Sequence, residues 1–470
     1  MSRPSRSAPA AAIAAGHPAT AEAGLEILAE GGTAADAAVA ACLASCVAET
    51  VMTGLAGGGH GIWFDANTGR AALLDFFVAV PGLGEARAPA PLQGLEVPFG
   101  EQFVHYSVGI ASCGVPGVPA GLGELWRRFG RLPWARIVEP ALRLARSGVS
   151  MPPAHARCLA MIAPVLTMRE GGRIYSPGGG LLEAGDVLDQ PGLVRTLELV
   201  AAEGAGALYE GTIARVLLGL MEERGGLVTR EDLAAYRPRW LEPVEAAYAG
   251  TRVLTRGGLA ALAEALGRLP RLRDAGEDAR ALALVRVLEV PHDSWGTTNL
   301  TVVDGDGNAC VLTTSLGLGS GDYLPGLDVH LNSMLGETDL LVGEHVPGER
   351  MASMMAPAVV LDEAGLVLAA GAAGGTRLRS ALVQVLAGML DEGLGPRDAV
   401  NRPRLHPVGG LVHVEPGFPE TGAAALEAAG YEVKRWEELH HYFGGVSIAG
   451  RAGAAADPRR SGLALALDLG

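Results

Sequence analysis

The segment GTTNLTVVDGDGNACVLTTSLGLGSG, residues 296–321, carries the strongest structural signal in the chain. Residues 297–304 alternate and are rich in β-branched side chains, which is typical of a β-strand. Residues 305–308 (GDGN) are a strong turn signal, and residues 309–315 predict the returning strand. The segment therefore predicts an antiparallel β-hairpin.

The register of this hairpin would bring two hydroxyl groups together. If Asp304 pairs near Ala309, counting back along both strands places Thr297 opposite Ser315 or Leu316. We therefore expect the hydroxyls of Thr297 and Ser315 to meet at the open end of the hairpin.

Thr297 becomes chemically interesting if the chain is cut immediately before it. The residue would then own a free α-amine, whose pKa is about 7.7–8.0 in an ordinary setting. Such an amine can act as the general base for the hydroxyl of the same residue. Gly296 would make the preceding peptide bond flexible enough for self-cleavage by an N→O acyl shift.

Two helices are predicted near the N-terminus. Residues 19–30 have helical spacing and end at Gly31-Gly32, a helix stop signal. The second helix, roughly 33–48, begins at Thr33 with Asp36 as the acid of a capping box. It is almost wholly small and apolar, so we expect it to be buried.

A glycine-rich turn at residues 54–59 leads into a predicted strand at 61–64 and a returning strand at 71–77. A phosphate-binding loop would need Gly-Lys-Ser/Thr, and this turn has no lysine. A dinucleotide-binding loop would follow a strand, whereas this turn follows a helix. The pattern argues against nucleotide binding.

The middle of the chain is predominantly helical by its apolar spacing. Helical stretches are predicted from about 121 to 147 and from 190 to 203. Residues 209–240 predict a helix, a turn and a short helix. Residues 256–290 are also predicted to be helical, until 291–296 (PHDSWG) break the pattern.

The composition excludes several classes of protein. Of the 470 residues, 49% are hydrophobic and 19% are charged, which favours a large buried core over disorder. A net charge of −15 argues against nucleic acid as a partner. The five cysteines form no C-x-x-C pair, so zinc is not expected and buried free thiols are. Without a secretory pattern or an apolar run of membrane-spanning length, we expect a cytoplasmic protein that binds no membrane.

The hairpin segment resembles the maturation site of γ-glutamyltransferases, whose pattern runs Thr-Thr-His/Asn, Ser/Thr-Val-Val-Asp, Gly-Asn-Ala. Segments that agree in order span nearly the whole chain. They are GLEILAEGGTAADAAVAACLA, GLAGGGHGIWF, GVPGVPAGL, YEGTIARVL, GGLVTREDLAAYRPRW, LNSMLGETDL, RMASMMAPAVVL, AGAAGGTRL and HHYFGGVSIAG.

This resemblance implies an α+β fold, the four-layer αββα sandwich of the Ntn hydrolases. It implies a cut that yields a large segment, 1–296, and a small segment, 297–470, which stay associated in one interlocked unit. The substrate would be a small-molecule amide, and no metal or organic cofactor would be needed. The resemblance does not decide between acyl transfer and hydrolysis. It also does not decide whether the protein forms a homodimer.

The resemblance also implies roles for the catalytic residues. Thr297 would be both the processing residue and the nucleophile. Ser315 stands where the family usually has a second Thr that hydrogen-bonds the nucleophile. Gly374 and Gly375 match the Gly-Gly pair whose backbone N–H groups hold the oxyanion. Gly317 departs from the family, since many members carry Asn there.

The residues expected to bind substrate depart further. Phe77 stands where the family's LDFRE segment supplies an Arg for the glutamyl α-carboxylate, and Phe cannot bind a carboxylate. Glu337 aligns with the Asp that binds the substrate amine. Met334 replaces a common Gln, Ser353 keeps one member of a Ser-Ser pair, and Met354 replaces the other. These changes predict a less polar acyl pocket.

Three functions therefore remain open. The leading hypothesis is acyl transfer or hydrolysis of a γ-glutamyl or related amide. The first alternative keeps the machinery in an acylase, amidase or natural-product tailoring enzyme for a non-glutamyl group. The second is an unprocessed, non-catalytic binding protein.

Several polar residues are not needed by this mechanism. We expect surface or packing roles for His60, His292 and the His440-His441 pair, because an N-terminal Thr requires no histidine. Asp293 and Ser294 precede the cut and are not assigned a role in it.

Overall fold

Two antiparallel β-sheets form the centre of the structure, a computed structural model that describes residues 11–99, 102–289 and 297–467. The strands of the described residues are, in chain order, β1 (Ala12–Ala15), β2 (Gly58–Asp65), β3 (Arg70–Phe76), β4 (Gln93–Phe99), β5 (Gln102–Val108), β6 (Val149–Ser150), β7 (Val187–Leu188), β8 (Arg239–Leu241), β9 (Val244–Tyr248), β10 (Thr251–Thr255), β11 (Thr298–Val303), β12 (Ala309–Ser315), β13 (Ala358–Asp362), β14 (Gly365–Ala373), β15 (Leu405–Val408), β16 (Leu411–Val414), β17 (Glu432–Arg435), β18 (Gly445–Gly450), β19 (Gly453–Ala456) and β20 (Leu463–Ala466).

The α-helices lie outside these sheets. In the same described ranges they are α1 (Pro18–Ala29), α2 (Ala34–Ala48), α3 (Val118–Phe129), α4 (Trp134–Ser147), α5 (Pro153–Leu166), α6 (Gly171–Tyr175), α7 (Pro191–Glu203), α8 (Thr212–Arg224), α9 (Arg230–Ala235), α10 (Leu262–Arg268), α11 (Glu277–Leu288), α12 (Arg377–Leu390), α13 (Pro396–Asn401) and α14 (Glu420–Ala428).

The first sheet has the strand order β20-β1-β11-β12-β2-β3-β8, and the second has the order β19-β18-β14-β13-β10-β9. Their inner faces meet in an apolar layer that includes Ile62 and Val311 from the first sheet and Val359 and Ala369 from the second. Small residues let the sheets approach closely. A Cβ on Gly371, for example, would overlap the side-chain oxygen of Asn299.

Helices cover the outer face of each sheet. The small, apolar helix α2 packs on β11 and β12, and α1 and α4 pack on α2. On the other side α12 packs on β14 and β18, in a second core shared with α10, α11 and α14. The layers are therefore helix, sheet, sheet and helix, which confirms the predicted αββα architecture.

Several sequence predictions are confirmed by these elements. The hairpin forms as β11 and β12 with Thr298 opposite Thr314, a register that leads back to Thr297 beside Ser315. The capping box at the start of α2 is present, and every residue of α2 is buried. All five cysteines are buried and free.

Other predictions are wrong in extent. The helical prediction for 256–290 fails at its centre, because α10 ends at Arg268 and α11 begins at Glu277. Pro270 disfavours helical geometry at the preceding residue, and Leu269 is extended. Residues 209–240 do form the predicted helix, turn and short helix as α8 and α9, and only residues 239 and 240 belong to β8. No strand is predicted from the sequence over β9 and β10, which pair with each other, while β10 also pairs with β13 about a hundred residues later.

One buried carboxylate ties the hairpin turn to the helical layer. Asp304 Oδ2 accepts a hydrogen bond from the backbone N–H of Ala34, the first residue of α2, at 2.9 Å. Asp304 Oδ1 accepts from the backbone N–H groups of Asp306 and Asn308, at 3.0 and 2.9 Å. A single side chain thus caps a helix and closes the turn that sets the register of β11 and β12.

We expect Asp304→Ala to lower the free energy of unfolding by roughly 2–4 kcal/mol, because it leaves buried N–H groups without acceptors. The matched control is Asp306→Ala, since Asp306 is exposed and its ion pair with Arg131 lies at the surface. That variant should stay within about 0.5 kcal/mol of wild type. Chemical denaturation of the two purified variants measures the difference, and equal effects would contradict the assigned role.

Candidate active site

Thr297 lies immediately before β11 and is 4% exposed. It lines a small cavity together with Ser315, at the end of β12, and Gly375, which precedes α12. The hairpin register accounts for the first pairing, since Thr298 lies opposite Thr314 and the next residues back are Thr297 and Ser315. Two hydroxyl side chains and one helix N-terminus therefore border the same space.

The glycine-rich turn at 54–59 supports this end of the hairpin. Gly57 lies so close to β12 that a Cβ there would overlap the carbonyl oxygen of Ser315. Gly58 pairs directly with Ser315 in the sheet. Glycine at these positions lets the two backbone segments approach closely. The glycine-rich turn therefore has a structural explanation that involves no nucleotide.

Ser315 is held by a local hydrogen bond. Its Oγ accepts from the backbone N–H of Gly317 at 2.8 Å. Gly317 has a φ of +68°, a left-handed conformation that glycine adopts without strain. The turn after β12 thereby orients the Ser315 hydroxyl.

Gly374 and Gly375 form the turn between β14 and α12. Their φ angles are +128° and +57°, which a side chain would strain. Gly375 lines the cavity with Thr297, whereas Gly374 packs against Gly444, so that a Cβ on Gly374 would lie 3.0 Å from the Gly444 Cα. Because α12 has 14 residues and begins two positions after Gly375, its dipole favours a negative charge at this end.

The four residues predicted to bind substrate all line this cavity. Phe77, Met334, Glu337 and Ser353 come from three separate segments of the chain. With Thr297, Ser315 and Gly375 they make seven of the eight predicted site residues, and Gly374 is the exception. The remaining lining residues are Leu340, Met354, Met355 and Leu378.

Leu340, Met355 and Leu378 were missed by sequence reasoning, although each adjoins a motif that it used. Met355 follows the replaced Ser-Ser position, and Leu378 follows the Gly-Gly pair by three residues. Their apolar side chains make the wall of the cavity less polar than the motif residues alone suggest.

Phe77 is fixed in place from several sides. Its backbone N–H donates to Asp75 Oδ1 at 3.0 Å, and its carbonyl oxygen accepts from the Tyr236 hydroxyl at 2.7 Å. Its ring stacks on His60 with 5.4 Å between centroids. Behind it, Arg350 lies 3.4 Å from Asp75 in an ion pair. Phe77 is therefore an ordered aromatic wall of the cavity.

The buried histidines have packing positions. Burial and the nearby Arg256 and Arg350 guanidinium groups hold the pKa of His60 well below its usual range. Burial likewise lowers the pKa of His440 to about 4 and that of His441 well below its usual range. These residues contact aromatic neighbours, as expected for packing roles. His292, Asp293 and Ser294 lie outside the described residues.

Glu337 is a buried acid in an apolar setting. It is 5% exposed, and its Oε1 has no hydrogen-bond partner among the described residues. Burial and the neighbouring Asp339 carboxylate raise its pKa well above the usual range, while a hydrogen bond from the backbone of Leu318 opposes the shift. Its surroundings therefore favour the protonated form of this acid over the charged one.

A second cavity lies on the other side of Thr297 and contains Glu49. The Glu49 carboxylate accepts hydrogen bonds from the hydroxyls of Thr20, at 2.7 Å, and Thr298. Burial raises the pKa of Glu49 to about 7, and the Arg460 guanidinium opposes this shift. Sequence reasoning did not assign Glu49, although an acid at the end of an apolar buried helix was a usable signal.

Comparisons with known proteins agree with the fold described above. The sequence profile described as Gamma-glutamyltranspeptidase matches residues 20–291 and 271–467. The chain belongs to the γ-glutamyltranspeptidase family. Like other members it is an N-terminal threonine hydrolase or acyltransferase of the Ntn-hydrolase type.

Relatives of this γ-glutamyltranspeptidase family member match it over most of its length and over most of their own. The acylase ACY 1 proenzyme of Pseudomonas sp. strain SE83 is 29% identical over 489 residues, which cover 90% of this chain and 87% of the relative. The glutathione hydrolase proenzyme of Escherichia coli K12 is 28% identical, covering 88% and 84%. The crystal structure of cephalosporin acylase from Bacillus halodurans superposes with a TM-score of 0.81 at 25% identity, covering 100% and 98%.

Two further properties concern the described part of the chain. No helix in residues 11–99, 102–289 or 297–467 is long and apolar enough to cross a membrane. Within those ranges there is also no cluster of three or more His, Cys, Asp or Glu side chains arranged to hold a metal ion.

The Glu49 pKa predicts a pH dependence of stability. An acid whose pKa rises from 4.5 to about 7 on folding binds more protons in the native than in the unfolded state between these values. Stability is therefore lost as the pH rises through this window, by roughly 3 kcal/mol in total. Glu49→Gln cannot ionise, so its Tm relative to wild type should increase from about pH 5 to about pH 8.

Thermal unfolding at several pH values measures this difference. Glu22→Gln, at an exposed position of α1, is the matched control and should follow wild type at every pH. A Glu49→Gln variant whose Tm difference from wild type is the same at every pH would contradict the assignment.

Proposed function

We propose that this chain cuts itself between Gly296 and Thr297 and then uses Thr297 as the nucleophile in acyl transfer from an amide. The observation that carries the proposal is the shared cavity of Thr297, Ser315 and Gly375 at the open end of the hairpin. Nucleophile, partner hydroxyl and anion-binding N–H group have the arrangement that amide-bond chemistry by an N-terminal Thr requires.

The two segments would remain one unit after the cut. They comprise 296 and 174 residues, since 470 − 296 = 174. In the first sheet β1 and β2 of the large segment pair with β11 and β12 of the small one. In the second sheet β10 of the large segment pairs with β13 of the small one. Separation would break both sheets and expose the layer between them.

The proposed reaction begins with the free α-amine of Thr297. The amine takes the proton of the Thr297 hydroxyl as its oxygen attacks the amide carbonyl carbon. Ser315, whose oxygen already accepts from Gly317, can direct its own proton to the Thr297 oxygen and orient it. The backbone N–H of Gly375, at the start of α12, stabilises the negative oxygen of the tetrahedral intermediate.

Collapse of this intermediate breaks the C–N bond. The protonated α-amine gives its proton to the departing amine, which leaves an ester between the acyl group and Thr297. Water or a second amine then attacks the ester in the same way and releases the acid or a new amide. The chemistry needs only groups that the chain itself provides.

Within this function the acylase alternative is favoured for the acyl group. Phe77 leaves the glutamyl α-carboxylate without the bidentate partner of related enzymes. The cavity wall around it is apolar, with Met334, Leu340, Met354 and Met355. Two of the relatives named above are acylases by name, whereas a third is a glutathione hydrolase. Natural-product tailoring with the same acyl-Thr297 chemistry is a variant of this proposal.

We expect wild-type protein to run as two fragments on a denaturing gel, and Thr297→Ala to run as one intact band, because Ala has no attacking oxygen. Thr297→Ser keeps a hydroxyl and should still be cut, which controls for the effect of changing the residue at all. Intact-mass analysis locates the cut. A wild-type protein that stays full length yet turns over substrate would overturn the mechanism, and a full-length, inactive protein would favour the binding-protein alternative.

We further expect higher kcat/KM for hexanoyl p-nitroanilide than for γ-glutamyl p-nitroanilide. A carboxylate buried without its charged partner loses roughly 1.5–3 kcal/mol, or about ten- to a hundredfold in kcat/KM. Release of nitroaniline gives the rate for both compounds in one assay. A clear preference for the glutamyl compound would show that another group replaces the missing arginine.

A further inference from the structure

The carboxyl group of Glu337 has an unusual position in the cavity of Thr297. It lies between two short 3₁₀ turns, Met334–Gly336 and Thr338–Leu340, and lines the cavity although it is 5% exposed. Within the described residues its Oε1 lacks a hydrogen-bond partner. A buried polar atom of this kind is rare unless a ligand or solvent satisfies it.

The space for this carboxyl is created by Gly317. A Cβ on Gly317 would overlap Glu337 Oε1 and would lie 2.8 Å from Ser333 Oγ. Ser333 is 1% exposed, and its Oγ likewise has no hydrogen-bond partner within the described ranges. The Glu337 carboxyl thus occupies the space that a side chain at position 317 would fill. The Ser333 Oγ, a second oxygen without a hydrogen-bond partner in the described ranges, lies near the same space.

The groups that face Glu337 do not neutralise a negative charge. Asp339, on the following turn, repels one, and the backbone of Leu318 offers a single N–H. Tyr106 of β5, which carries no cationic group, pairs with Glu337 through a backbone bridge. The α-amine of Thr297, after the cut, is the basic group that shares the cavity. A neutral carboxylic acid, unlike a carboxylate, can donate a hydrogen bond into the cavity.

On the basis of the proposed function, we infer that Glu337, Gly317 and Ser333 form a seat for an uncharged acyl group whose chain carries a carbonyl oxygen. The Glu337 carboxylic acid would donate to that oxygen, and the Ser333 hydroxyl could donate beside it. The surrounding Met334 and Leu340 side chains would exclude water from the contact, which strengthens it.

The substrate pair that isolates this contact differs only at one carbon. In 5-oxohexanoyl p-nitroanilide a carbonyl replaces one methylene of hexanoyl p-nitroanilide. The ratio of their kcat/KM values cancels effects on Thr297, because both compounds react through the same residue. We expect this ratio to be about tenfold at neutral pH. We expect it to fall as the pH rises and Glu337 loses its proton, since a carboxylate repels a carbonyl oxygen.

Two substitutions separate hydrogen bonding from packing. Glu337→Gln keeps a donor at every pH, so the ratio should remain but lose its pH dependence. Glu337→Leu keeps an apolar side chain but no donor, so the ratio should fall to about one or below. Met355→Leu alters the wall without removing a polar group, and it should change both substrates alike.

The fit between Gly317 and Glu337 is tested independently. Gly317→Ala should displace the carboxyl and reduce the substrate ratio at least threefold. Glu337→Asp shortens the acid by one methylene and should make the protein more tolerant of Gly317→Ala. Wild type, the two single variants and the double variant form a cycle that is measured by Tm and by the kcat/KM ratio of the two substrates. We expect Gly317→Ala to lower Tm less in the Glu337→Asp background than in wild type. Equal losses in both backgrounds would contradict the fit, even where single variants are poorly folded.

Failure of this inference is distinguishable from failure of the proposed function. If both anilides acylate Thr297 but the ratio of their kcat/KM values depends neither on pH nor on Glu337, the inference about the seat is wrong and the proposed function stands. A 5-aminopentanoyl anilide that exceeds the 5-oxohexanoyl compound and depends on an ionisable Glu337 would overturn the inference in favour of an ammonium-binding acid. An unprocessed protein that releases no nitroaniline would instead remove the function itself.

Discussion

The pairing of β11 with β12 is the constraint on which the rest of the structure depends. Each strand of this hairpin is bordered by a strand of the large segment, β1 on one side and β2 on the other. A slip of one residue would turn every side chain to the opposite face. It would move Thr297 away from Ser315 and turn Leu300 and Leu312 away from the core that they share with α2. Asp304, which fixes the turn against α2, is therefore part of the active-site geometry although it lies at the far end of the hairpin.

The same constraint explains the abundance of small residues. The catalytic strands lie at the centre of a sheet that is covered on one face by α2 and on the other by the second sheet. Alanines along α2 and the glycine at position 371 permit this close packing. Polar atoms that face the packed layers have partners within them, as where the Thr313 hydroxyl donates to Asn299 at 2.6 Å. Close packing on both sides thus holds the start of β11 in place.

The sequence allowed the local features to be predicted and left the long-range ones open. The hairpin, its register and the capping box at Thr33 depend on neighbouring residues, so turn and pattern rules suffice. Strands β9 and β10 pair with each other, but their place in the second sheet depends on β13, far along the chain. The lining of the cavity was largely predictable from motifs, whereas the burial of Glu49 between Thr20 and Thr298 was not, because three separated segments create it.

Reactivity and acyl selection have different structural origins in this molecule. The groups proposed to react belong to the hairpin and to the turn before α12, where backbone register and positive φ angles leave little freedom. The acyl-facing walls come from the end of β3 and from loops after β12, so single side chains can change there without disturbing the sheets. Phe77 places an aromatic ring on this wall, and Glu337 places a buried acid over Gly317. Because strand pairing fixes the hairpin while these walls come from separate segments, the charge of the cavity can change without moving Thr297.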